Sequence, residues 1–190
     1  MLTQYRSNAV IALGGNLPFQ GADPKLTLRK AIERGSEMGL VIRGISQFYR
    51  TPCFPAGAGP DYVNAAIRVE TELPPAGLLQ VLHDIEHEFG RAREQRWGMR
   101  TLDLDVLLFE DLILPDRKTF DQWHSLPLDE QVRATPEQLI LPHPRLQDRA
   151  FALVPACDVA PDWRHPVSGK TIRELTADLP ADALAEVVAL

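Results

Sequence analysis

Residues 63–71 read Val-Asn-Ala-Ala-Ile-Arg-Val-Glu-Thr, the stretch that most narrows what this chain can become. Val63, Ala65, Ile67 and Val69 point one way, and Asn64, Ala66, Arg68 and Glu70 the other. A period of two is a strand with one buried face. Such a strand needs hydrogen-bonded neighbours at its edges and a packed layer against its apolar side.

The flanking sequence supplies both. Asn8–Leu13 reads as a buried strand closed by the turn residues Gly14-Gly15-Asn16. Asp23-Pro24 is a capping acid followed by proline at the first helical position, and Leu28, Ala31, Ile32 and Gly35 then share a face. A helix is therefore expected over 24–38. Residues 40–49 are β-branched and aromatic enough for a strand, with Gly44 as a bulge. The Pro- and Gly-dense run 51–60 is a loop. Pro74-Pro75 opens a second helix with Leu78, Leu82, Ile85 and Phe89 on one face, ending at Gly90, and Thr101–Phe109 is a further strand.

The order β-α-β-β-α-β predicts an α+β, ferredoxin-like sandwich, with an antiparallel sheet and helices on one face. Residues 144–159 and 170–176 add C-terminal helices, and 165–169 a turn. Residues 115–138 have no clear period. They are expected as an insert loop, with a short helix near 129–133. A length of 190 residues suits one domain over 1–190.

Composition excludes some functions. With 45% hydrophobic and 24% charged residues, the chain can build a core and is no low-complexity segment. A net charge of −6 argues against a dedicated nucleic-acid or anionic-membrane binder. Two cysteines, Cys53 and Cys157, make no disulfide framework, no apolar run approaches a membrane span, and the first residues lack signal-peptide length. A reducing cytoplasmic setting is expected. The basic residues are 16 Arg and 4 Lys, so placement decides what that excess means.

The placement is uneven. Arg91, Arg93, Arg96 and Arg100 stand against one acid, Glu94, and are followed at once by Asp103 and Asp105. On a strand, two positions separated by one share a face about 7 Å apart. Paired carboxylates so placed suit hard cations such as Mg²⁺, which takes oxygen ligands and is often completed by substrate phosphates. Guanidinium forks beside them neutralise the remaining phosphate oxygens. A salt-bridged surface cluster remains the competing reading.

The run Arg96-Trp-Gly-Met-Arg-Thr-Leu-Asp-Leu-Asp105 resembles the signature of the 6-hydroxymethyl-7,8-dihydropterin pyrophosphokinase family. Four other blocks resemble that family in the same order: Gly14-Gly-Asn-Leu17, Ser46-Gln-Phe-Tyr-Arg-Thr-Pro52, Pro60-Asp-Tyr-Val-Asn64 and Leu141-Pro-His-Pro-Arg-Leu-Gln-Asp-Arg-Ala-Phe151. The similarity implies transfer of pyrophosphate from ATP to the pterin hydroxymethyl group, with release of AMP, in folate biosynthesis. It further implies two Mg²⁺ ions on Asp103 and Asp105, and a catalytic role for Arg91, Arg93 and Arg100 on a loop that closes on the phosphates. Glu86, Arg91, Arg93, Arg96, Arg100, His143 and Arg149 would contact ATP. Thr51, Pro52, Phe54, Tyr62, Asn64, Trp97 and Phe151 would hold the pterin. ATP and the pterin would be the partners, with neither nucleic acid nor membrane.

The chain departs from the family pattern at Met99, where Pro is usual, at Gly15 for Ser, at His83 for Gln and at Gln138 for Arg. Two other readings fit parts of the sequence. An RNA-recognition module shares the element order, and a hydrolase could use Asp103 and Asp105 as acid and base.

Overall fold

The computed structural model describes residues 5–53, 57, 59–90, 99–127, 130 and 136–190. In chain order the elements are β1 (Ser7–Gly15), α1 (Pro24–Glu37), β2 (Val41–Ile45), β3 (Tyr49–Thr51), β4 (Tyr62–Thr71), α2 (Pro75–Glu88) and β5 (Asp103–Phe109). They are followed by α3 (Arg117–His124), a 3-10 turn (Leu146–Asp148), α4 (Ala150–Val159), α5 (Ile172–Ala177), α6 (Ala181–Ala185) and β6 (Val188–Ala189). The sheet runs β5-β1-β4-β3-β6, with β2 also on β4, and every pairing is antiparallel. The expected element order and sheet sense are therefore present.

The first helix forms where its caps require. The Asp23 carboxylate accepts the Leu26 N–H at 2.8 Å, and Leu28, Ala31 and Ile32 are buried. Such a cap is worth about 1 kcal/mol. At the far end of α2 the chain turns through Gly90, at φ 77°.

Three expectations need correction. The expected single strand over 40–49 is two strands. The bulge is present between Ile42 and Gly44, but at Ser46 the hydroxyl accepts the Ala66 N–H at 2.8 Å. That side chain takes a ladder bond a backbone carbonyl would otherwise make.

Helices cover both faces of the sheet, not one. α1 and α2 pack on Ile11, Ile67, Val69 and Leu104, while Leu153 and Ala156 of α4 and Ile172 of α5 pack on Val10, Ala66, Leu107 and Leu108. The sequence of α4 is apolar nearly all round, so it carries no stripe that announces its buried side. An RNA-recognition module works through an exposed sheet face. Here α4 covers much of that face, which counts against that reading.

The third correction is α3, which lies in the expected insert loop. The helix expected near 129–133 falls mostly outside the described residues. Asp116 caps α3 by accepting the Thr119 N–H at 2.9 Å, and one side chain, Phe120, is fully buried. Phe120 stacks on His124 at 5.4 Å and meets the edge of His165 at 6.3 Å.

His165 is itself 3% exposed, and burial, with a smaller effect of His124, pushes its pKa from 6.5 down to about 4. Because the folded value is depressed, His165 favours folding fully above pH 6.5, and that contribution is lost as pH falls toward about 4. The imidazole Nδ1 accepts from the N–H groups of Val167 and Ser168, both at 3.2 Å. Asn offers an oxygen at the same position and does not titrate. His165→Asn is therefore expected to flatten the fall in urea-unfolding stability between pH 6.5 and 4. An unchanged slope would remove His165 as a cause.

Candidate active site

The strands bring the acid pair and the polar face of β4 into one row. Asp103 pairs across β1 with Gly14, which pairs with Asn64, which pairs with Tyr49; Asp105 lies opposite Ala12, itself opposite Ala66. Directly opposed residues share a face. Asp103, Asp105, Asn64, Tyr62 and Thr51 therefore rise from the face that α4 covers farther along the sheet. Gly14 keeps the floor open between Asp103 and Asn64, since a Cβ there would stand 2.9 Å from Asn64 Oδ1.

Asn64 is 5% exposed and donates from Nδ2 to Thr51 Oγ1 at 2.8 Å. Its second N–H and its carbonyl remain suited to a heterocycle edge that both gives and accepts. Tyr62 is half-buried. Burial raises its phenol above the ordinary value, against the opposing pull of the Arg100 cation.

Positive charge meets the acids from two sides. Arg100 forms an ion pair with Asp103, through Nη1 and Oδ2. Burial works against the Arg100 charge, but Asp103, Tyr62 and Asp105 outweigh it and the guanidinium pKa is raised. From the far side comes the segment before α4, pinned to the sheet where His143 N–H donates to Leu107 O at 2.8 Å. Burial lowers the Arg149 pKa, with Asp105 and Asp103 pulling it back up. Its guanidinium lies 5.7 Å from the centre of the Phe151 ring, which is 42% exposed.

His143 stands between these groups. Desolvation first, and then Arg149, push its pKa down to about 3, so the imidazole is neutral at physiological pH. The Arg145 N–H donates to His143 Nδ1 at 3.1 Å. A neutral imidazole has one N–H, so that hydrogen sits on Nε2. Arg149 Nη1 lies 3.4 Å from this Nε2. The two atoms are both donors and cannot bond one another; they converge as a pair that an anionic oxygen would bridge.

Among the described residues no three His, Cys, Asp or Glu form a metal cage. Asp103 and Asp105 offer two carboxylates over an open glycine floor. That fits Mg²⁺, which takes one or two carboxylates and fills its shell with water and phosphate.

Of the residues expected from sequence, Thr51, Tyr62, Asn64, Arg100, Asp103, Asp105, His143 and Arg149 are brought to this region, with Phe151 beside Arg149. Pro52 follows β3 and is exposed. Arg91, Arg93, Arg96, Trp97 and Phe54 lie outside the described residues. For Glu86, expected at the ATP site by resemblance, the structure shows a buried carboxylate. The residue is 1% exposed on α2, the helix on the opposite face of the sheet, and its carboxylate accepts the Leu104 N–H at 2.7 Å. β5 ends the sheet, so Glu86 supplies an acceptor on the side where no strand follows.

Sequence reasoning passed over Asn16 and Arg145. Asn16, 2% exposed, accepts the Arg100 N–H at 2.9 Å through Oδ1 and donates to Pro60 O at 3.1 Å. It joins the entry to β5 with the loop before β4. Its only sequence signal was a place in a Gly-Gly-Asn turn.

The chain is similar to known proteins over most of its length. The family model described as 7,8-dihydro-6-hydroxymethylpterin-pyrophosphokinase (HPPK) matches residues 10–161. A 2-amino-4-hydroxy-6-hydroxymethyldihydropteridine pyrophosphokinase of Synechocystis is 38% identical over 186 residues, covering 95% of this chain and 80% of that protein. The protein of the same name from Pseudomonas aeruginosa is 37% identical over 177 residues, covering 92% and 93%. Wild-type HPPK-DHPS of Plasmodium falciparum has a similar fold, with TM-score 0.64 and 16% identity. That likeness covers 91% of this chain, which spans 44% of the Plasmodium chain.

Proposed function

The chain belongs to the 7,8-dihydro-6-hydroxymethylpterin-pyrophosphokinase family, and from that premise we propose how its residues perform the reaction. It is a pyrophosphokinase of folate biosynthesis that acts on hydroxymethyldihydropterin, with ATP as co-substrate. The observation that carries the assignment of residues is the donor pair His143 Nε2–H and Arg149 Nη1, 3.4 Å apart, on the face that bears Asp103 and Asp105. Two converging donors opposite two carboxylates suit a polyphosphate whose charge is divided between protein cations and metal.

In this reading the hydroxymethyl oxygen attacks the β-phosphorus of ATP. The bond from that phosphorus to the α–β bridging oxygen breaks, and the electron pair leaves with AMP. The hydroxyl proton passes to solvent, because no described side chain is placed as a strong base. Asp103 and Asp105 would hold magnesium, two ions by family resemblance. A bound metal would neutralise phosphate charge and make the attacking hydroxyl easier to deprotonate. His143 and Arg149 hold the phosphates in line, Arg100 adds charge beside Asp103, and catalysis is mainly orientation and charge stabilisation. Tyr62 and Phe151 would flank the pterin ring, and Asn64 and Thr51 would read its edge. Arg91, Arg93, Arg96, Trp97 and Phe54 enter on the resemblance alone.

Among the described residues no helix is long and apolar enough to cross a membrane. The free thiols Cys53 and Cys157 support a cytoplasmic setting.

The test is product analysis. With hydroxymethyl-dihydropterin and Mg²⁺, ATP consumption is expected to yield AMP and the pterin pyrophosphate in equal amounts, and to stop when the pterin is left out. ADP as the sole nucleotide product would overturn the reading. Release of free sugar or alcohol without ATP would favour the hydrolase.

A further inference from the structure

The connection from β5 to α4 has no role legible in its sequence, yet its helix reaches the histidine of the site. His124 is the last residue of α3, and its Nδ1 lies 3.3 Å from the carbonyl oxygen of Pro144. A carbonyl only accepts, so this Nδ1 carries the hydrogen. Gln147 Nε2 donates to the same oxygen at 3.2 Å. The N–H of that same peptide group belongs to Arg145 and donates to His143 Nδ1 at 3.1 Å. A short chain therefore runs from His124 Nδ1–H, through the Pro144–Arg145 peptide, to His143 Nδ1.

Such a chain does two things. Donors on the carbonyl oxygen hold the peptide plane in the orientation that aims its N–H at the imidazole. They also polarise the peptide and strengthen that N–H as a donor. Both effects favour Nδ1 of His143 as acceptor, and hence a hydrogen on Nε2, the atom beside Arg149.

His124 is fixed for this task by its stack on Phe120, at 5.4 Å and 23°. Phe120 is fully buried, so the stack has a rigid base. Arg145 Nη1 reaches Leu126 O at 3.4 Å and joins the two segments a second time.

We propose that His124 is a positioning residue of the pyrophosphokinase reaction: through the Pro144–Arg145 peptide it holds His143 in the Nε2–H tautomer that donates to the ATP phosphates. The proposal rests on the reading of His143 as a phosphate donor. The α3 segment then serves as an outer brace of the nucleotide side of the site.

Three substitutions separate this from a merely structural role. His124→Asn keeps an N–H at the position of Nδ1. His124→Phe keeps the aromatic stack on Phe120 and removes the donor. His124→Gln moves the donor one atom outward. The direct readout is the ¹⁵N chemical shifts of the His143 ring in the full-length, ligand-free protein, which distinguish the tautomers. The Nε2–H form is expected in the wild type and in His124→Asn, and a mixture with the Nδ1–H form in His124→Phe and His124→Gln.

In steady state with MgATP and saturating pterin, His124→Phe is expected to raise the KM for ATP by about three- to tenfold, the worth of one hydrogen bond. kcat should change by less than about twofold, and His124→Asn should restore KM. In a His143→Ala background, adding His124→Phe should change KM no further.

Unchanged His143 nitrogen shifts in a folded His124→Phe protein would overturn the proposal, as would a KM that rises equally in the His143→Ala background. If His143→Ala by itself leaves the KM for ATP unchanged, the phosphate reading of His143 fails and the catalytic part of the proposal falls with it. The nitrogen shifts decide the tautomer relay independently of that result.

Discussion

Asp103→Asn is expected to lower kcat by about a thousandfold while leaving the fold in place. The substitution is nearly isosteric and removes one negative charge from the pair on β5. Loss of a Lewis acid at a phosphoryl centre costs several kcal/mol, and about 4 kcal/mol corresponds to a thousandfold in rate. Asp103 is also the ion-pair partner of Arg100, so the change releases that guanidinium as well. The measurement is kcat at saturating ATP and pterin across a magnesium titration, with thermal unfolding as the control for folding. Excess magnesium is expected to recover little of the rate. A kcat within a fewfold of wild type would remove Asp103 from the metal role and return it to the structural ion pair. Asp105→Asn should behave alike, because both side chains rise from the same face of β5.

The second large effect is expected for Arg149→Met, which keeps much of the aliphatic volume and removes the fork. A hydrogen bond to a charged group is worth about 1.5–3 kcal/mol, so kcat/KM for ATP should fall by roughly ten- to a hundredfold. Arg149 also helps to depress the His143 pKa, after desolvation. Removing the cation should move the His143 titration upward from about 3, followed by NMR. Sign matters here. The depressed folded value makes neutral His143 a stabilising choice at neutral pH, lost as pH falls toward about 3. Arg149→Met narrows that window from below. Unchanged ATP kinetics together with an unmoved His143 titration would contradict the converging donor pair.

Most of the sheet was legible because its evidence is local. The alternation in 63–71, the proline-opened helices and the Gly44 bulge each depend on residues within one or two turns of each other. Three features lacked such signals. In α3 a single side chain, Phe120, is buried, so no stripe repeats along the helix. In α4 apolar residues surround the axis, so pattern alone does not say which side meets the sheet. β6 is two residues long, too short to show any period.

The same division runs through the site. Asp103 and Asp105 were readable because i, i+2 spacing on a strand dictates a shared face. The donor pair His143 and Arg149 was identifiable by resemblance, but not its tautomer. That depends on which backbone group meets Nδ1. Glu86 entered as a nucleotide contact by resemblance alone, and its place beside the α2 stripe suited a solvated helix face. Its partner, the Leu104 N–H, lies 18 residues away and draws it into the interior.

By itself, then, the sequence determined the α+β class, the strand and helix order, the acid pair and the family. These follow from local periodicity, side-chain chemistry and ordered motifs. Only the tertiary structure decided that helices cover both faces, that Asn16 ties Arg100 across 84 residues, and that α3 reaches the peptide beside His143. Those facts belong to pairs of residues whose meeting is set by strand register and by how the layers pack. Neither quantity is encoded at any single position in the chain.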